Sequence, residues 1–280
     1  MLLGLLLFSS AGLFGQTDVP ALRETLEKGD TEAKRSALFQ LRNLQTAEAS
    51  RAALPGLSDK DEIVRATAAG SVVFLPKTEA ALNLLPLLID RSELVRREAA
   101  YALGEAGDPA AANALINLLQ KDKIIEVKGA AAVALGKLGD ISAVEALVKV
   151  LKTGPNDDTE FLRRASARSI GQIAQFIQTG RIDNLTPQNF LPEKYKQIGK
   201  PKYDDPAAQF PVFKPAAAAL IETLQSSKEA GDVRREAAYA LGSIGDRSAL
   251  AALQAASGSS DPYLAEAAKE ALAKFAISSK

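Results

Sequence analysis

The sequence predicts an all-α fold, an α-solenoid of stacked antiparallel helix pairs rather than a globule around one enclosed core. Three observations carry that prediction. One phrase returns along the chain, clearest as Val95-Arg-Arg-Glu-Ala-Ala-Tyr-Ala-Leu-Gly-Glu-Ala-Gly-Asp108, Val127-Lys-Gly-Ala-Ala-Ala-Val-Ala-Leu-Gly-Lys-Leu-Gly-Asp140 and Val233-Arg-Arg-Glu-Ala-Ala-Tyr-Ala-Leu-Gly-Ser-Ile-Gly-Asp246. Weaker copies open at Ala33, Val64, Leu162 and Leu264, and the steps between anchors are 31, 31, 32, 35, 71 and 31 residues. A period of this size belongs to repeat architectures, in which each unit buries its apolar side on its neighbours. Finally, the clear copies close on Gly-Asp, which ends one helix and caps the next.

The elements follow in chain order. Met1 to Thr17 carries no charge, and Leu2, Leu3, Leu5, Leu6, Leu7 and Phe8 form an apolar run ahead of Ser9, Ser10, Ala11 and Gly12. A short apolar core followed by small residues reads as a secretory signal peptide over 1–16. The run is shorter than the roughly 20 residues that span a bilayer. The alternative is an apolar helix packed on the first repeat. The signal reading sends the protein to the periplasm or the exterior, with no stable membrane span after cleavage. The absence of Cys suits an oxidising compartment.

Asp18 to Gly29 reads as a single leading helix, and the repeat domain runs over 18–279. Residues 92–121 serve as its type unit. Ser92 is placed to cap the first helix, with Glu93 in the first turn where a negative charge suits the dipole. Leu94, Val95, Ala99, Ala102 and Leu103 recur at helical spacing. Gly107 ends the helix in a left-handed conformation, Asp108 caps the next, and Pro109 sits where a missing amide proton costs nothing. Leu115, Leu118 and Leu119 share one face of the second helix. Seven such units are expected, with second helices lining a concave side on which Asn113, Asn117, Glu145, Lys149 and Glu222 are exposed. Pro262 to Ala276 reads as a single closing helix with a polar outer face.

Residues 180–213 break the period. The 71-residue step from Leu162 is about two periods long, yet only one helix pair is visible in it, roughly 159–178 and Pro215 to Ser226. The intervening stretch holds Pro187, Pro192, Pro201, Pro206 and Pro211, which bar a long helix. It also holds five of the chain's fifteen aromatics, which argue against simple disorder. Phe190, Lys194, Tyr195, Tyr203, Phe210 and Phe213 are the candidate partner-binding residues of this arm, the rings as anchors and the lysine on a positive rim. The competing reading is a lid whose rings cover an exposed helix face.

Composition narrows the function. Lys plus Arg equals Asp plus Glu at 34 each, so nothing drives the chain toward nucleic acid. With no His and no Cys, a Ser-His-Asp triad, a thiolate nucleophile and a His or Cys metal site are excluded. The short acidic pairs Asp157-Asp158 and Asp204-Asp205 form no dense calcium loop, and no phosphate-loop or dinucleotide fingerprint occurs. No catalytic residue and no cofactor is expected.

The pattern Val-Arg, Ala-Ala, Ala-Leu-Gly-x-x-Gly-Asp, Leu-x-x-Leu-Leu resembles the HEAT-like repeats of the phycobilisome-lyase type, over about residues 20–277. The resemblance implies a curved right-handed superhelix that binds other proteins. Some relatives attach bilin chromophores to phycobiliproteins, and others resemble deoxyhypusine hydroxylase, whose di-iron site uses His-Glu pairs. Without His, the di-iron activity does not carry over to this chain.

Arg65, Arg96, Lys128, Arg163 and Arg234 occupy equivalent places and form a basic ladder. One reading is a charged stripe for an acidic ligand. The other, which balanced charge favours, is a structural row in which each cation pairs with acids or helix ends of the preceding repeat. Tyr101 and Tyr239 are also equivalent, and packing with the hydroxyl at the rim is expected of both. The function expected is a non-enzymatic scaffold or adaptor whose partner is another protein. A bilin-handling accessory subunit and a structural envelope protein are the alternatives.

Overall fold

The computed structural model describes residues 18–182 and 206–277, and every regular element in them is helical. The apolar segment at 1–17 and most of the insertion, with Phe190, Lys194, Tyr195 and Tyr203, lie outside the described residues. The helices are α1 (Val19–Lys28), α2 (Thr31–Leu44), α3 (Ala47–Ala53), α4 (Glu62–Ser71), α5 (Lys77–Leu84), α6 (Glu93–Ala106), α7 (Ala112–Lys121) and α8 (Ile125–Leu138). They continue as α9 (Val144–Leu151), α10 (Glu160–Thr179), the single turn α11 (Pro206–Gln209), α12 (Phe213–Gln225), α13 (Gly231–Ile244), α14 (Leu250–Ala256) and α15 (Pro262–Ile277).

Two layers result. In the first, α2, α4, α6, α8, α10, α13 and α15 pack side by side in that order. The second layer is α1, α3, α5, α7, α9, α12 and α14. Each second-layer helix, with any short 3-10 turn that extends it, packs most broadly on the first-layer helix that follows: α1 on α2, α7 on α8, α9 on α10, α12 on α13, α14 on α15. The helices read as single at the two ends therefore each have a partner. The Gly-Asp corner joins successive helices tip to tip, whereas the loop after a second helix lays the next helix alongside.

Local chemistry places the helix ends where expected, with one exception. Gly107, Gly139, Gly180 and Gly245 end α6, α8, α10 and α13 at φ of 70, 69, 68 and 76°. In the first repeat Gln45 holds the same left-handed place at φ 53°. Asp108, Asp140 and Asp246 each accept the amide two residues on at 2.9 Å. At α6, however, the Ser92 side chain makes no capping bond. Asp90 Oδ1 accepts the amide of Ser92 itself, at 2.8 Å, ahead of the helix.

One continuous core runs the length of the described array, rich in Ala, Leu and Val. Its tightest seam is in the first layer. A Cβ added at Gly104 would lie 2.8 Å from Ala134 Cα, one at Gly171 2.9 Å from Ala240 Cα, and one at Gly242 2.7 Å from Ala271 Cα. These glycines, each nine residues after its anchor, let neighbouring backbones touch. The insertion does not interrupt the seam, because α10 packs on α13 as α8 packs on α10.

Candidate functional site

The basic ladder lies along the loops that precede the first-layer helices. Arg65 is buried, and its Nε and Nη2 donate to Asp90 Oδ2 and Oδ1 at 2.8 and 2.9 Å. Its Nη1 donates to the Asp59 and Lys60 carbonyls at 2.8 and 3.1 Å. Arg96 repeats the arrangement one unit on, with Asp122 Oδ2 and Oδ1 at 2.7 and 3.2 Å and the Asp90 carbonyl at 2.9 Å. Arg163 and Glu229 form a fully buried ion pair, and Arg163 Nη1 donates to the Leu151 carbonyl at 2.7 Å. Arg234 Nε reaches the Leu224 carbonyl at 2.9 Å.

The four arginines of the row are bound to internal partners, in a direction that differs from the expectation. Each of the four arginines takes carbonyls from the end of the preceding second-layer helix or the loop before its own helix. Where an acid is present, it belongs to the following repeat, because the forward-reaching fork meets the next loop. The same acid accepts that loop's amide: Asp61 on Asp59, Ser92 on Asp90, Ile124 on Asp122. Four members escaped the sequence reading, one cation and three acids. Lys34, directly after the Ala33 anchor, donates to Asp59 Oδ2 at 2.6 Å and begins the ladder. The acids Asp59, Asp90 and Asp122 all stand five places before an anchor, a regularity visible in the sequence. Lys128 and Arg234 are the exceptions on the ladder: both are half-buried and neither has an acid partner among the described residues. Asp157, five places before Leu162, is exposed, and Asn156 takes the Asx role by accepting the Asp158 amide at 2.9 Å.

The ladder acids respond as paired carboxylates. The Arg65 fork holds Asp90 below the ordinary carboxylate range, against opposing burial and with help from the Ser92 amide. Burial pushes Asp122 upward, but the Arg96 fork and the Ile124 amide outweigh it and leave the group lowered. A depressed native pKa contributes stability that is present above the unfolded value of about 3.9 and is lost as pH falls through the lower folded value. Asp90→Asn is accordingly expected to lower stability by about 2 kcal/mol at neutral pH. It should also flatten the acid limb below about pH 4, read as urea midpoints across pH. An unchanged acid limb would detach Asp90 from this role.

The remaining candidates divide. Asn113, Asn117, Glu145, Lys149 and Glu222 are all exposed, on α7, α9 and α12, and Lys149 pairs with Glu145 at 2.9 Å. Phe210 is half-buried against the core. Phe213 is fully buried in the first turn of α12 and is a core residue, which removes it from the exposed anchors. Its ring is drawn inward because α12 resumes the second layer at that residue. Tyr101 is half-buried, and that burial pushes its phenol up. Tyr239 is buried, with Lys274 Nζ 4.3 Å from its ring centroid. Asp157 and Asp158 lie exposed in a 3-10 turn, and Asp204-Asp205 lies outside the described residues.

Stacked antiparallel pairs, a Gly-Ala seam and an internal cation ladder define an α-solenoid repeat protein. The sequence model for HEAT repeats matches residues 81–171 and 213–276, more than half of the chain, and the chain belongs to that family. Curated proteins provide no match. Among solved structures, an engineered protein aligns with a TM-score of 0.55 at 21% identity, over 92% of this chain and 68% of that one. The complex of CpcE and CpcF of phycocyanin lyase from Nostoc sp. PCC7120 aligns with a TM-score of 0.51 at 20% identity, over 96% of both chains. Both are likenesses of fold. None of the described helices is long and apolar enough to cross a membrane.

Proposed function

We propose that this chain is a non-enzymatic protein-interaction scaffold, exported by its apolar N-terminal segment. The observation that supports the reading is how the array spends its charges. The ladder cations are mostly bound internally, while the second-layer face leaves Asn113, Asn117, Glu145, Lys149 and Glu222 to solvent. An extended row of exposed polar positions on a rigid stack is the surface that repeat proteins use to hold partners. The absence of His and Cys removes the usual catalytic groups.

Cross-linked co-purification from the native host tests the proposal. The intact chain is compared with a form in which 183–205 is replaced by a Gly-Ser turn, sparing Phe210 and Phe213. Both must show the same helical circular dichroism. A defined protein captured by the intact chain is expected. Its loss on replacement would put binding in the arm, and its retention would put binding on the repeats. Failure to capture any protein, together with a visible absorption band in the purified chain, would overturn the proposal in favour of a bilin-handling subunit.

A further inference from the structure

A groove of about 250 Å³ crosses the outer faces of α2, α4 and α6. Its apolar wall is formed by Phe39, Ile63 and Leu94, the first two 62% and 40% exposed. Gly70 and Thr67 line it as well, and Arg42 and Glu98 contribute charge. Glu98 is partly neutralised by Arg97, whose Nε and Nη2 lie 3.4 Å from its Oε1. Arg42 has no acid partner among the described residues.

Gly70 is the informative residue. It is the penultimate residue of α4, where glycine is less favourable than alanine by up to about 1 kcal/mol. The seam glycines have a packing reason, since a Cβ on them would strike a neighbouring backbone. At Gly70 a Cβ would meet only the Arg42 guanidinium, with Nη1 at 3.2 Å and Cζ at 3.7 Å, the movable end of a flexible side chain. Six places after their anchors, the neighbouring copies carry the rings of Phe39 and Tyr101. Packing therefore does not demand the glycine. Its effect is a dent between exposed apolar walls, with the exposed Arg42 guanidinium lying beside it.

We propose that this groove docks a segment of a partner protein that presents an apolar side chain next to a carboxylate. The apolar group fills the dent over Gly70, and the carboxylate pairs with Arg42. The proposal rests on the scaffold reading and assigns it a surface and a ligand chemistry. Both ends of the match follow from charge and shape: the walls are apolar, and the cation without a counter-ion is Arg42.

The test selects phage-displayed random peptides on the full chain and on two variants, Arg42→Glu and Gly70→Leu. The wild-type chain is expected to select peptides that place Asp or Glu within a residue or two of Leu, Ile or Phe. Arg42→Glu should lose the acidic preference. Gly70→Leu fills the dent with a better helix former, so its Tm should equal or exceed that of wild type while selected peptides bind about tenfold or more weakly. Peptides without an acidic residue, or peptides that bind all three proteins equally, would overturn the proposal. So would a selection that yields no binders. If the native partner is captured equally by wild type and both variants, the groove fails while the scaffold reading stands. If the acidic-apolar peptides bind as described but no native protein is captured, the groove stands without the scaffold.

Discussion

Glu229→Ala is expected to destabilise the protein by about 3–5 kcal/mol, measured as the shift of the urea unfolding midpoint multiplied by its slope. The Arg163 and Glu229 side chains each retain 2% of their accessible surface. Removing the carboxylate leaves a guanidinium in the core with only the Leu151 and Val150 carbonyls, at 2.7 and 3.3 Å, to accept from it. That is a charge taken out of water with no opposite charge returned, the situation in which breaking a buried pair is most damaging. The pair also has an architectural role. Arg65 and Arg96 reach acids 25 and 26 residues on, whereas Arg163 reaches one 66 residues on, across the whole insertion. It clamps α10 to the loop before α13 across the interruption. Replacing both partners, as in Arg163→Met with Glu229→Leu, should recover most of the loss, because no unpaired charge then remains. A single substitution with an effect below about 1 kcal/mol, or a double variant no better than the single, would show that the pair does not hold this junction.

The second large effect is expected at the seam. Gly171→Leu should destabilise by about 3 kcal/mol or more, since the new side chain must enter a space already occupied by the backbone of α13. A Cβ alone would stand 2.9 Å from Ala240 Cα and 3.1 Å from Ala240 Cβ, and neither can swing away as the end of a long side chain can. Relief comes only by separating α10 from α13. Hydrogen exchange should therefore show faster opening of α13, α14 and α15 than of α2 to α8, because repeat arrays lose stability interface by interface. Uniform acceleration along the chain would mean that the array unfolds as one unit. Gly70→Leu is the contrast within the same protein: the same chemical change at a glycine whose added Cβ meets only a flexible guanidinium should leave stability equal or higher.

The architecture was legible because its signals are local. Asp108 and Gly107 act on amides and carbonyls within a turn of themselves, so their roles follow from residue type and spacing. The exposed second-layer positions were legible for a related reason, since helical periodicity alone puts Asn113 and Asn117 opposite Leu115 and Leu119. Ser92 shows where local reasoning gives out. Its hydroxyl is a good cap by type, yet it accepts no amide of α6. The loop is fixed instead by Asp90, which Arg65 holds from another repeat and which accepts the Ser92 amide. Phe213 likewise belongs by composition to a Pro and aromatic stretch and by packing to the core.

By itself, the sequence determined the period, the helix ends, the all-α class and the exclusion of imidazole and thiolate chemistry. Each of these depends on residue identity or on neighbours within a few positions. Only the tertiary structure decided that second-layer helices pack on the helix that follows, that the ladder reaches forward to the next repeat, and that Arg163 meets Glu229 across the insertion. It also decided that Gly70 opens a groove while Gly104, Gly171 and Gly242 close a seam. The reason is that a partner is chosen by distance in space. Stacking brings together groups whose separation along the chain is 25 residues in one repeat and 66 in another.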